Sequence, residues 1–247
     1  MQISTDGIVL KNYRLEDDRV LTLLTRQAGV LTAYANGADR PRSKLASSTE
    51  LLCYSHFVLF TNRDRHVVNH ADSERIFFGI RADLDNLALA SYFAELTIHF
   101  APHGEPASEY LRLLLSALHY LENRTRSRQL LKPLYELRLL TLSGYMPGLV
   151  ACSVCGEYTA EQMQFFPKHG ELVCGACLCG QPKPGGVPIP SGVLAAMRHI
   201  VFSPLDKLFS FSLSENGLRQ LCRLSEDYLK YQAERSFQTL EFYNSLV

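Results

Sequence analysis

Cys152-Ser153-Val154-Cys155 and, after an 18-residue spacer, Cys174-Gly175-Ala176-Cys177 form the stretch from which the rest of the chain is read. Tetrahedral zinc takes four soft ligands, and a two-residue gap lets both thiolates of one knuckle reach a single ion. The spacer is long enough to fold back as a hairpin and present the second knuckle to the first. A redox C-x-x-C usually stands alone beside a βαβ pattern, whereas two pairs at this spacing indicate a metal site. Four protein thiolates leave no open position for water, so the expected Zn2+ is structural and held by Cys152, Cys155, Cys174 and Cys177. Cys179 and His169 are alternative ligands that the spacing disfavours. Cys53 and Cys222 lie in apolar surroundings and read as small core hydrophobes.

Outward from the cysteines, the flanks are helical. Leu84 to Phe100 is rich in Leu and Ala, with Asp83 as its N-cap. Tyr110, Leu111, Leu114, Ala117, Leu118 and Leu121 repeat at helical spacing. A third helix is expected from about Lys132 to Ser143, with Pro133 in its first turn. Short strands are expected at Gln164–Phe166 and Glu171–Val173, then a linker from Pro182 to Pro190. Helices resume at Gly192–Val201, at about Pro204–Phe209 behind Ser203, and at Glu215–Tyr231 behind Ser214.

The first 75 or so residues read differently. Ile3–Tyr13, Val20–Thr25, Val30–Ala35, Tyr54–Thr61 and His66–His70 are apolar, aromatic or β-branched runs, with Gln27-Ala28-Gly29 and Asn62-Arg63-Asp64-Arg65 as turns. Five short strands with no long helix between them suggest a small antiparallel barrel or sandwich. Five is the strand count of an OB-fold, whose loops and open face bind single-stranded nucleic acid. The expected fold class is therefore α+β. An OB-like five-stranded barrel over 1–78 precedes a helical domain over 79–247, and a zinc-binding insertion at 150–180 interrupts that domain.

With 47% apolar residues and equal numbers of acidic and basic side chains, the composition is that of an ordinary globular protein. No apolar run approaches the ~20 residues of a membrane helix, and MQISTDGIVLKNYRLEDD lacks the features of a secretory signal. Seven cysteines without such a signal fit a reducing compartment, so a cytoplasmic location is expected. Zero net charge argues against a strongly basic nucleic-acid binder, but a local patch matters more than the sum. Arg40-Pro41-Arg42-Ser43-Lys44 is the clearest cationic cluster, in a loop marked by Gly37 and Pro41.

These elements resemble the bacterial RecO family over nearly the whole chain. The resemblance rests on Gly7-Ile8-Val9-Leu10, on Glu16 to Gly29 (EDDRVLTLLTRQAG), on Asn36 to Leu45 (NGADRPRSKL) and on Gly144 to Cys155 (GYMPGLVACSVC). Asn36 stands where the family commonly has lysine, and Asp39 puts an acid inside the basic loop. Many members lack some of the cysteines, and this chain keeps all four.

The resemblance implies a DNA-repair accessory protein and not an enzyme. It implies binding of single- and double-stranded DNA, annealing of complementary strands, and help for RecA in replacing single-strand-binding protein on DNA. The implied partners are RecR and the C-terminal tail of single-strand-binding protein, with the bacterial nucleoid as location and no membrane.

Phosphate contacts are then expected from Arg40, Arg42 and Lys44, with Lys11, Arg14, Arg19 and Arg26 as additions from neighbouring strands. Tyr13, Tyr34, Tyr54 and Phe57 are candidates for base stacking, or for the barrel core. Arg198 and Arg219 are candidate partners for an acidic tail. Asp39→Ala is expected to strengthen DNA binding slightly.

Two rival readings remain. A zinc-ribbon adaptor would bind proteins only and show no DNA affinity. A metal-dependent nuclease could use Asp17 and Asp18, but adjacent strand residues point to opposite faces, and both read as turn residues. His56, His66 and His70 are explained by strand alternation. No nucleotide-binding G-x-x-x-x-G-K-[ST] loop is present.

Overall fold

The computed structural model describes residues 2–63, 65–180 and 183–246. Asp64 of the expected turn and Pro182 of the expected linker lie outside them. The chain divides into two compact units, Met1–Thr125 with Phe237–Val247, and Arg126–Ser236.

The first unit contains β1 (Gln2–Leu15), β2 (Asp18–Thr25), β3 (Gly29–Ala35), β4 (Cys53–Asn62) and β5 (Arg65–Ile76). They close into a barrel in the order β1-β2-β3-β5-β4, the expected five-stranded OB-like architecture. Strand direction cannot alternate all the way round a ring with an odd number of strands. The expectation of a wholly antiparallel barrel is therefore corrected at one seam, where β3 and β5 pair in parallel through Ala33–His66 and Tyr34–Val67.

Period-two alternation sends Val9, Leu21, Leu23, Leu31, Ala33, Phe57 and Leu59 into the barrel core. Burial of each large side chain there is worth about 1.5–3 kcal/mol. Gly29 shows why a turn residue can be obligatory. Its φ is +62°, and a Cβ would meet the Pro102 carbonyl oxygen at 2.0 Å. Only glycine lets the next residue, Val30, donate its N–H to that oxygen at 2.8 Å.

Helices α1 (Phe78–Arg81), α2 (Leu84–Phe100) and α3 (Ser108–Glu122) follow in the same unit. Asp83 caps α2 as expected, its Oδ1 accepting from the Asn86 N–H at 3.1 Å. The last helix, α8 (Gln238–Asn244), packs on α2. Phe237, just before it, is buried against Tyr92 with ring centroids 6.3 Å apart.

The second unit is built on α4 (Arg128–Leu142). This helix starts a turn earlier than expected, behind the cap Ser127, so Pro133 falls inside it. Proline has no N–H for the carbonyl four residues back, and that carbonyl, of Gln129, accepts from the Cys222 thiol at 3.0 Å.

A four-stranded sheet, order β6-β8-β7-β9, comes next from β6 (Gly148–Cys152), β7 (Met163–Phe166), β8 (Glu171–Cys174) and β9 (Val187–Ile189), with α5 (Gly175–Gly180) between the last two. The expected linker thus contains a three-residue edge strand. Pro188 is tolerated there because an edge position needs no inward N–H.

Helices α6 (Ser191–Phe202) and α7 (Glu215–Ala233) pack on α4. Between them, the helix expected at Pro204–Phe209 is instead a run of turns, with i→i+3 bonds from Lys207 to Pro204 and from Leu208 to Leu205. Six residues are too few to offset helix nucleation, and Ser203 ends α6 rather than starting a helix.

Candidate nucleic-acid interface and metal centre

The basic loop between β3 and β4 is held by the acids of the β1–β2 turn. The Gly37 N–H donates to Asp18 Oδ1 at 2.6 Å, and the Asp39 N–H donates to the Asp17 carbonyl at 2.9 Å. Arg40 Nε donates to Asp17 Oδ2 at 3.1 Å. Both carboxylates are therefore engaged in shaping the loop, and neither belongs to a group of potential metal ligands among the described residues.

Arg19 corrects the sequence reading. Its side chain is only 3% exposed and forks onto Asp39 Oδ1, with Nε at 2.9 Å and Nη2 at 2.5 Å. It also meets Glu50 at 2.9 Å, the Ala46 carbonyl at 2.9 Å and Thr49 Oγ1 at 3.0 Å. A buried guanidinium with five such contacts has nothing left for phosphate, so Arg19 braces the loop from beneath and is not a DNA contact. Burial opposes its charge, but Asp39 and Glu50 outweigh that cost and raise its pKa.

Asp39, in turn, is held below the usual carboxylate range by the Arg19 hydrogen bond, against the opposing effect of burial, and Arg14 adds to it. Arg14 Nε lies 3.4 Å from Asp39 Oδ2. The acid inside the basic loop is thus already neutralised and serves as a clasp.

What the loop leaves outside is cationic. Arg42 and Lys44 are exposed and make no ion pair among the described residues. Arg40 is 66% exposed despite its contact with Asp17. Lys11 and Arg14 are exposed on β1. Arg26 is also exposed but pairs with Asp6 at 3.2 Å.

Directly paired residues of neighbouring strands lie on one face of a sheet. The register pairs Tyr13 with Val20, and Val20 with Tyr34, making a row across the outer face of β1, β2 and β3. Lys11, Thr22 and Thr32 form the adjacent row. Tyr13 is 64% exposed, and the Arg65 guanidinium lies 4.2 Å from the centre of the Tyr34 ring. Phe57 belongs to the core, which removes it from the stacking candidates. Tyr54 is half-buried on β4, opposite Ile8. Arg65 was not anticipated, because nothing in a single sequence announces the parallel β3–β5 seam.

In the second unit, the Sγ atoms of Cys152, Cys155, Cys174 and Cys177 all lie within 4.8 Å of one another. Cys155 and Cys174 are 3.7 Å apart. A tetrahedron of thiolates around a zinc-sized ion has edges of about 3.8 Å, from a metal–sulfur bond of about 2.3 Å. Cys179 and His169 are exposed and do not join this group among the described residues.

The donor chemistry calls for a cation. Burial pushes the Cys152 thiol up, but N–H groups of the knuckles outweigh it and bring it down to about 6. Hydrogen bonds with Cys155 and Cys174 push Cys177 up to about 12. One sulfur ionises readily and its neighbours then resist, a conflict that a dication relieves by holding all four as thiolates. The cluster could therefore hold a metal ion.

The metal module is tied to its helices by two side chains. Gly170, with φ +65°, closes the β7–β8 hairpin against α7, and a Cβ there would meet the Tyr228 ring at 2.9 Å. Arg198 on α6 donates to the Leu149 and Val150 carbonyls at 2.7 and 2.8 Å. It also lies 4.2 Å from the centre of the Tyr158 ring. With Nε and Nη2 engaged in this way, Arg198 anchors the module, a role the reading of it as a partner contact did not include. Arg219 is exposed on α7 and bonds Asn216. A cleft of about 480 Å³ opens beside α7, with Phe166, Pro167 and Tyr231 as apolar lining and Lys168, Lys230 and Asp227 as charges.

No helix among the described residues is long and apolar enough to cross a membrane. Residues 1–77 match the family described as Recombination protein O N terminal, and residues 81–241 match Recombination protein O C terminal. A DNA repair protein RecO of Acetivibrio thermocellus is 37% identical over 99% of this chain and 97% of its own length. Proteins of the same name from Desulforamulus reducens and Rubrobacter xylanophilus are 31% and 33% identical, covering 98% and 88% of this chain and 93% and 88% of their own lengths. With both halves matched, an OB-like barrel in front and four clustered cysteines behind, this chain belongs to the RecO family.

Proposed function

We propose that the protein is a DNA-binding recombination mediator in DNA repair. It anneals complementary strands and helps load RecA onto single-stranded DNA coated by single-strand-binding protein. The observation that carries this reading is the barrel's outer surface. An exposed loop with Arg40, Arg42 and Lys44 adjoins β1, which carries Lys11 and Arg14, and the row from Tyr13 to Tyr34 crosses the same barrel.

Cationic side chains track phosphates without reading sequence, and aromatic faces accept any base. Annealing needs two strands brought together with their bases free to search for register. A modest cationic surface lowers the repulsion between them and holds neither strand rigidly. The protein has no turnover chemistry in this account, and ATP is not needed.

Zn2+ at Cys152, Cys155, Cys174 and Cys177 is structural, fixing the hairpin that carries Phe166 and His169 against α7. RecR and the C-terminal tail of single-strand-binding protein are the protein partners, in the bacterial cytoplasm at the nucleoid. The cleft beside α7 suits an acidic, hydrophobic tail better than Arg198 does, because its lining combines Phe166, Pro167 and Tyr231 with Lys168 and Lys230 against one acid, Asp227. Annealing assays with and without nucleotide, and recruitment to DNA coated with tail-deleted single-strand-binding protein, test this function. The account expects ATP-independent annealing and lost recruitment; an absolute nucleotide requirement or undiminished recruitment contradicts it.

A further inference from the structure

Three strands of the barrel bring Asp6, His56 and Glu74 together on the outer surface, away from the Tyr13–Tyr34 row. Asp6 on β1 is directly opposite His56 on β4. The register of β4 with β5 slips between Tyr54–Arg75 and Ser55–Ser73, so Glu74 is an extra residue. Glu74 is also two positions from Asp72, which pairs directly with His56, so strand alternation puts it on the face shared by His56. One nitrogen and two carboxylate oxygens, one atom from each residue, lie within 4.8 Å of one another. Residues 50 and 18 positions apart in the chain do not converge this way by local structure.

The hydrogen bonds around the histidine fit a metal ligand. His56 Nδ1 is 2.8 Å from Asp6 Oδ1, and His56 Nε2 is 2.8 Å from Ser4 Oγ. A hydroxyl both donates and accepts, so Ser4 can take the Nε2 proton as an acceptor and leave the Nδ1 lone pair facing the two carboxylates. In that tautomer the lone pair faces a carboxylate oxygen at hydrogen-bond distance, and a cation bound between them replaces the direct Nδ1–H···Asp6 bond of the other tautomer. A second ring nitrogen fixed by an outer partner is the usual setting of a metal-bound imidazole. Arg26 steadies the far oxygen of Asp6 at 3.2 Å. Glu74 makes no hydrogen bond or ion pair among the described residues, and being exposed it is free to swing inward.

We propose that Asp6, His56 and Glu74 form a second metal site on this protein, distinct from the four cysteines and selective for a divalent first-row transition ion. One imidazole with two carboxylates suits such ions, whereas magnesium and calcium prefer oxygen alone. The bound ion staples β1, β4 and β5 together on the outside of the barrel.

Cobalt titration of the full chain tests the proposal. Cobalt on thiolates carries an intense sulfur charge-transfer band, and cobalt on nitrogen and oxygen does not, so the two sites are counted separately whichever metal the cysteines hold. Beyond any ion at the cysteines, one further Co2+ per chain is expected, without a thiolate band, and thermal unfolding should move upward with added Co2+. Glu74→Gln, on an exposed side chain, should leave the fold intact and weaken this binding by about tenfold or more, the scale on which even outer-shell partners act. His56→Gln should abolish it together with the thermal shift. Cobalt that enters only a thiolate site, or that binds both variants as tightly as the parent, overturns the proposal.

Discussion

Asp39→Ala removes the carboxylate that pins Arg19 beneath the basic loop. By charge alone, deleting an acid from a cationic loop should tighten DNA binding. The structure reverses that expectation, because Asp39 already spends its charge on Arg19 and Arg14. The substitution leaves the Arg19 Nε and Nη2 without their acceptor at 2.9 and 2.5 Å. Breaking a buried pair by removing one partner costs about 3–5 kcal/mol. Glu50 remains 2.9 Å from the guanidinium, which brings the expected loss nearer 2–3 kcal/mol, roughly the penalty of buried donors left unsatisfied. For a unit of this size that lowers the unfolding temperature by at least about 6 °C.

Thermal unfolding of parent and variant, with single-strand binding measured well below both transitions, provides the assay. A destabilised variant that binds no tighter is expected. The pH dependence has a definite sign: a carboxyl depressed in the folded state stabilises above its ordinary value of 3.8 and loses that contribution as pH falls through the native value. The deficit of Asp39→Asn should therefore shrink on acidification. Equal stability with tighter binding would refute the clasp.

Cys174→Ser should lose the metal and destabilise the second unit, by less than the ~10–16 kcal/mol of an isolated finger, because α4, α6 and α7 have their own core; elemental analysis and calorimetry read both. Cys179→Ser should keep one zinc per chain, and loss of the ion there would mean a different fourth ligand. Tyr13→Ala should cost about 1–3 kcal/mol in single-strand affinity, equally for all sequences, as read by fluorescence titration. Arg198→Ala should loosen the metal module, seen as faster zinc release to a chelator, with DNA affinity of the barrel unchanged.

The barrel was legible because its strands alternate with period two, and the four cysteines because their spacing is itself a geometric statement. Asp83 and Ser214 were readable as caps for the same reason: their roles are local. The misreadings are non-local. Arg19 looks like any strand cation until the loop brings Asp39 and Glu50 around it. Arg198 lies on a helix whose neighbour is a β6 carbonyl row 49 residues back. Helix α8 has seven residues, too few for periodicity, and forms because Phe237 buries against Tyr92. His56 reads as an alternating strand residue because its meeting with Asp6 and Glu74 depends on the register of three strands, which no local pattern encodes.

The most direct test of the barrel as the DNA-binding surface is a salt series of single-stranded DNA affinity for the parent and for Arg40→Ala/Arg42→Ala/Lys44→Ala. Each phosphate contact contributes about 0.7 to the log–log slope on single strands. The account predicts weaker binding on every sequence tested and a slope shallower by about 2. A triple variant with the parent's affinity and the parent's slope would contradict it.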